Sequence, residues 1–142
     1  MKIYLDQRPL DSASHLRVAL EAEAVLGILA LCESGQVEIV SSDALVYETE
    51  QNPWPLRREH ALAVLSRVVE YIRLTEGVEQ RAQDLDKQGF KPLDALHLAM
   101  AEAGKVDYFC TCDDRLLKKA KRMKDLRVKV VSPLELVKEL EK

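Results

Sequence analysis

Four acidic residues, Asp6, Glu48, Asp94 and Asp113, stand where carboxylates could do hydrolytic chemistry together. Asp6 closes a short apolar run, Ile3-Tyr4-Leu5. Asp113 follows another, in Cys110-Thr111-Cys112-Asp113-Asp114. Glu48 comes one helical stretch after the run Val37-Glu38-Ile39-Val40, and Asp94 comes two residues after Pro92. Carboxylates gathered at one place repel one another unless a cation neutralises them. Ligands that are all oxygen select a hard cation, Mg²⁺ or Mn²⁺, which keeps several waters. Such an ion can activate water and stabilise charge on a scissile phosphate, so no side-chain nucleophile is needed.

Each acid taken singly also has an ordinary structural reading. Asp94 in a first helical turn complements the helix dipole. Asp113 can cap a helix that starts at Asp114. Glu48 suits a solvated helix face, and Asp6 a turn. Only their joint placement favours ligation, so spacing alone predicts an α/β domain with an acidic candidate site.

The elements that must position these acids alternate along the chain. Lys2 to Leu5 is short and β-prone, and Gln7-Arg8-Pro9 breaks it. Apolar residues at spacings of three and four, Val18, Ala22, Val25, Leu26 and Leu29, predict a helix from Leu16 to Glu33 that stops at Gly35. Val37 to Val40 reads as a strand, and Ser41 or Ser42 as the cap of a helix through Glu48. After the break Asn52-Pro53-Trp54-Pro55, a helix is predicted from Leu56 to Val68, then an extended segment from Val69 to Leu74. Thr75 caps the next helix, which ends near Gly89. Pro92 opens another that stops at Gly104. Val106 to Thr111 is a strand, Asp114 to Lys124 a helix, Arg127 to Val131 the last strand, and Pro133 starts the final helix. This alternation predicts a single three-layer α/β/α domain over 1–142, with a mainly parallel sheet of four or five strands. Ligands of such sheets bind beyond the carboxyl ends of the strands, where these acids fall.

Composition sets bounds. The chain has 142 residues, 47% hydrophobic and 32% charged, enough for one buried core and too few for two domains. No apolar run reaches the roughly 18 residues of a membrane helix, and the N-terminus lacks the pattern of a signal peptide. A cytoplasmic protein that makes no membrane contact is expected. Cys32, Cys110 and Cys112 read as reduced, small apolar residues rather than a zinc site. The formal net charge of −3 means that a nucleic-acid partner must be argued from local charge.

Three segments in order carry a resemblance: Ile3-Tyr4-Leu5-Asp6, Pro92-Leu93-Asp94-Ala95-Leu96-His97-Leu98-Ala99 and Asp107-Tyr108-Phe109-Cys110-Thr111-Cys112-Asp113-Asp114-Arg115-Leu116-Leu117. Together with Val130-Val131-Ser132-Pro133-Leu134-Glu135 they resemble the signatures of the PIN domain over essentially the whole chain. The resemblance implies a ribonuclease dependent on Mg²⁺ or Mn²⁺, of the kind found as the VapC-like toxin of a toxin–antitoxin pair. It implies that Asp6, Glu48, Asp94 and Asp113 are the metal-holding and catalytic acids, with Glu50 as the nearby alternative to Glu48. It further implies that Thr111 supports the metal site. In similar proteins a small or hydroxyl residue and a longer loop follow the first acid; here Gln7-Arg8-Pro9 follows at once. That departure favours the alternative, a catalytically impaired PIN module that binds RNA or protein.

Asp114 and His97 are further candidates for supporting the acids, His97 because it lies one helical turn after Asp94. A backbone-satisfied core histidine is the ordinary alternative. Arg115, Lys118 and Lys119, within a basic stretch beside Asp113, are the candidate RNA-binding residues, against the ordinary reading of a solvated helix face. Expected partners are RNA, a cognate antitoxin and a second copy of the chain; Trp54 and the apolar helices could supply a protein surface. A phospho-acceptor receiver domain fits less well, because only one acid closes the first strand.

Overall fold

The computed structural model describes residues 1–6, 15–51 and 70–141. The predicted helix over 56–68, the Pro53-Trp54-Pro55 segment, His60 and Gln7-Arg8-Pro9 lie outside the described residues, as does the side chain of His15. Among the described residues, strands β1 (Lys2–Leu5), β2 (Glu38–Ser42), β3 (Glu70–Ile72), β4 (Tyr108–Cys110) and β5 (Lys129–Val131) form one sheet. Its order is β3-β2-β1-β4-β5 and every pairing is parallel. The helices among the described residues are α1 (His15–Glu33), α2 (Asp43–Gln51), α3 (Glu76–Lys87), α4 (Pro92–Ala103), α5 (Asp114–Arg122) and α6 (Pro133–Leu140).

Side-chain alternation along the strands splits the core in two. Ile3, Leu5, Ile39, Cys110 and Val131 face one side, where they pack with Ile28 and Leu29 of α1 and Leu136 of α6. Tyr4, Val40, Phe109 and Val130 face the other, against Leu45 of α2, Leu85 of α3, Leu98 of α4 and Leu116 of α5. The predicted three layers are therefore present, with five strands. Cys110 is buried, Cys32 and Cys112 are half-buried, and none forms a disulfide.

Several boundaries differ from expectation by a few residues, and two of them have clear local reasons. β2 runs on through Ser41 and Ser42, because both pair with β3 (Ser41 with Tyr71, Ser42 with Ile72). Ser42 still accepts the Leu45 amide at 3.2 Å, so a serine that ends a strand also starts a helix. β5 begins only at Lys129, because the Arg127 amide donates to the Glu102 side chain and is lost to the ladder. Gly35 ends α1 with φ +83°, a conformation that favours glycine. Gly104 ends α4 for a different reason: a Cβ there would lie 2.4 Å from Ile72 Cδ1.

The strand order matters most for function. From β1 the chain moves outward to β2 and β3, then returns to place β4 on the other side of β1. The direction of winding thus reverses between β1 and β4. In parallel sheets the crevice beyond the strand ends at such a reversal is where ligands bind.

Candidate active site at the β1–β4 switch point

Asp6 and Thr111 lie side by side at that reversal. The register pairs Leu5 with Cys110, and the Asp6 amide donates to the Cys110 carbonyl at 2.8 Å, so the next residues, Asp6 and Thr111, are neighbours. Both are buried. Thr111 Oγ1 donates to Asp6 Oδ2 at 2.9 Å and accepts the Asp113 amide at 3.1 Å. One hydroxyl therefore fixes the Asp6 carboxylate and the turn that presents Asp113. Asp113 Oδ1 accepts the Arg115 and Leu116 amides at 3.0 and 3.2 Å, the N-cap of α5. The capping role read for Asp113 is real and occupies Oδ1 alone. Asp114 lies in the first turn of α5.

Valine at position 111 would keep the shape and remove the hydroxyl. It would leave Asp6 Oδ2 and the Asp113 amide without that partner. Thr111→Val should cost about 2 kcal/mol of stability, the usual penalty for stranding buried polar groups. Urea unfolding measures this, and an unchanged midpoint would contradict the pairing.

Asp94 sits in the first turn of α4 and is only 5% exposed. α4 leads back to the start of β4, where the Asp107 amide meets the Lys2 carbonyl, so the first turn of α4 points toward the opposite rim, where the strands end. His97, one turn later, does not take the role expected beside Asp94. It is fully buried, with Nδ1 2.7 Å from Tyr4 Oη and Nε2 2.9 Å from Glu48 Oε2. Tyr4 Oη is also 2.7 Å from Ser42 Oγ. The directions are mutually consistent: Leu45 N–H donates to Ser42, Ser42 to Tyr4, Tyr4 to His97 Nδ1, and His97 Nε2–H to Glu48. His97 thus ties Glu48 on α2 to Tyr4 on β1, two residues before Asp6 and on the same face. Glu48 is half-buried in this chain of bonds, whereas Glu50 is exposed.

Tyr4 and Ser42 were not among the sequence-derived candidates. A usable signal was present: a phenol in an otherwise aliphatic strand, two before an acid, needs a polar partner on that face. The Tyr4 ring also stacks on Phe109, with centroids 5.1 Å apart.

The basic residues of α5 divide. Arg115 and Lys118 are exposed. Lys119 Nζ instead donates to the Gly89 carbonyl and lies over the Phe90 ring. That contact commits Lys119 to the turn between α3 and α4.

Residues 5–122 match the PIN domain family model. The chain belongs to the PIN domain family. PIN domains as a family are nucleases, which directs attention to nucleic-acid hydrolysis at the β1–β4 crevice. Similar folds include the VapBC2 structure from Rickettsia felis bound to a DNA fragment from its promoter, at 16% identity and a TM-score of 0.56, covering 93% of this chain and 98% of that one. PAE2754 from Pyrobaculum aerophilum matches at 18% identity and 0.52, covering 99% and 95%. VapBC-1 from nontypeable Haemophilus influenzae matches at 14% and 0.55, covering 94% and 99%. At these identities the likeness is one of fold. No curated protein sequence matches.

The PIN family implies a divalent cation, and the donor chemistry here suits one. Asp6, Asp94 and Thr111 offer only hard oxygen donors in buried positions. Among the described residues, no three His, Cys, Asp or Glu side chains are grouped to hold an ion. Mg²⁺ asks for less, since it binds through one or two carboxylates and keeps waters or substrate phosphate for the rest.

Proposed function

We propose that this PIN domain is a metal-dependent endoribonuclease, the toxin of a toxin–antitoxin pair, cutting RNA in the crevice beyond β1 and β4. The observation that carries the reading is the Asp6–Thr111–Asp113 arrangement at the switch point of a PIN fold. Asp6, Asp94, Asp113 and Glu48 hold Mg²⁺ or Mn²⁺, directly or through water. When bound, the ion supplies Lewis acidity toward the phosphate and an activated water.

The remaining work falls to side chains of this chain. Thr111 holds Asp6 in one orientation. Asp113 keeps Oδ2 outside its cap bonds, so it can cap α5 and still serve the site. His97 holds Glu48 rather than Glu50 toward β1, which supports Glu48 as the second acid. Asp114 supports the first turn of α5. A partner of antitoxin type is part of the reading, since two of the structurally similar proteins are VapBC assemblies. Leu20 and Leu26 of α1 are exposed and offer apolar area for that partner or for a second copy of the chain. No helix among the described residues is long and apolar enough to cross a membrane; a cytoplasmic location belongs to the same proposal.

A cleavage assay on mixed RNAs with Mn²⁺, with Mg²⁺ and with chelator tests this. Cleavage should appear with either ion and stop with chelator. RNA binding without cleavage under all conditions would favour an impaired binding module, with Gln7-Arg8-Pro9 after Asp6 as the first suspect.

A further inference from the structure

We infer that Arg115, Lys118 and Arg122 form a track for the backbone of single-stranded RNA, running down α5 away from Asp113. The inference rests on the ribonuclease reading and deepens it by assigning the side on which substrate lies.

α5 carries five cations, and the structure sorts them. Leu116 and Ala120 are buried and face the core. Lys119 is drawn to Gly89 and Phe90 on one flank. On the other flank Lys121 Nζ donates to Glu135 Oε2 of α6 at 2.6 Å. Arg115, Lys118 and Arg122 are exposed, and none is ion-paired among the described residues. Their spacing of three and four places them on one stripe, with Lys119 about 70° to one side of its centre and Lys121 about 90° to the other. The stripe spans about 10 Å along the helix.

Such a stripe is unfavourable by itself. Lys118 and Arg122, four apart, repel each other. Arg115 stands in the first helical turn, where the dipole disfavours a cation. The chain as a whole is acidic, at −3, so this is local and not a by-product of net charge. A polyanion laid along the stripe relieves both effects and meets Asp113 at its upper end. Backbone contacts of this kind position a strand without reading its sequence.

The test compares two variants of equal charge: Lys118→Ala with Arg122→Ala, and Lys119→Ala with Lys121→Ala. Affinity for a cleavage-resistant single-stranded oligoribonucleotide is measured by fluorescence anisotropy across a salt series, with thermal melting alongside. The stripe variant should bind about tenfold more weakly at low salt, and its log–log salt slope should shrink by about 1.4, two phosphate contacts at about 0.7 each. The flank variant should bind within about twofold of the wild type while melting lower, because it loses internal contacts. Equal losses in the two variants, or wild-type affinity in the stripe variant, would overturn the track. If the stripe variant alone loses binding but the wild type never cleaves, the track stands and the nuclease reading falls. If the wild type binds no single-stranded RNA, the track is overturned, and the cleavage assay decides the nuclease reading separately.

Discussion

Asp94→Asn should lower RNA cleavage by about 100-fold or more, the scale for removing one preorganised electrostatic group from an active site. The substitution keeps size and polarity but removes the charge that a hard cation requires. Asp94 is buried in the first turn of α4, and asparagine has nearly the same shape, so the amide can occupy the same position. Far-UV circular dichroism should therefore match the wild type. RNA affinity should be largely retained, because backbone contacts are assigned to α5. A contaminating nuclease would be indifferent to residue 94. Undiminished cleavage by purified Asp94→Asn would thus assign the activity elsewhere.

The largest stability effect is expected far from the chemistry, at Glu102. Its side chain is 5% exposed and joins three parts of the fold. Oε1 accepts Arg81 Nε of α3 at 2.7 Å, and Oε2 accepts Arg81 Nη2 at 3.1 Å and the Arg127 amide at 2.8 Å. The Glu102 carboxylate lifts the Arg81 pKa above its ordinary value, against the opposing effect of burial. Glu102→Ala strands a mostly buried guanidinium and a backbone amide. Breaking a buried pair from one side costs about 3–5 kcal/mol; Arg81 keeps some solvent contact and a weaker contact with Asp125 at 3.4 Å, so about 3 kcal/mol is expected. For a domain of this size that lowers the melting temperature by roughly 10 °C. Because Glu102 lies two helical turns from Asp94, cleavage per folded molecule should stay near the wild-type value at temperatures where the variant is folded. A melting temperature within about 1 °C of the wild type would show that this clamp carries no stability.

These two residues mark what could and could not be read from the chain. The placement of Asp6, Asp94 and Asp113 at strand ends and a helix start was legible because such boundaries announce themselves locally, through apolar runs, Pro92 and the Thr111–Asp113 turn. Alternation of strands and helices gave the parallel three-layer class for the same reason. Strand order is not local: nothing between Leu5 and Tyr108 announces that β4 returns to the open side of β1, and that return makes a crevice of Asp6 and Thr111. His97 pairs with residues 93 and 49 positions away, so the i, i+3 reading beside Asp94 missed both. Lys119 and Lys118 are adjacent and chemically identical, and only the packing of Gly89 against α5 separates their roles. Nothing in the sequence marks Glu102, because its partners come from two other segments, Arg81 of α3 and the Arg127 amide.

On the proposed reading, the carboxylates at the β1–β4 switch point hold a hard divalent cation. Isothermal titration of Mn²⁺ into wild type, Asp6→Asn and Asp94→Asn addresses it without reference to activity. The wild type should bind Mn²⁺ at micromolar to millimolar concentration, and both variants should lose most of that binding. Equal Mn²⁺ binding in all three proteins, or none by the wild type at millimolar concentration, would contradict it.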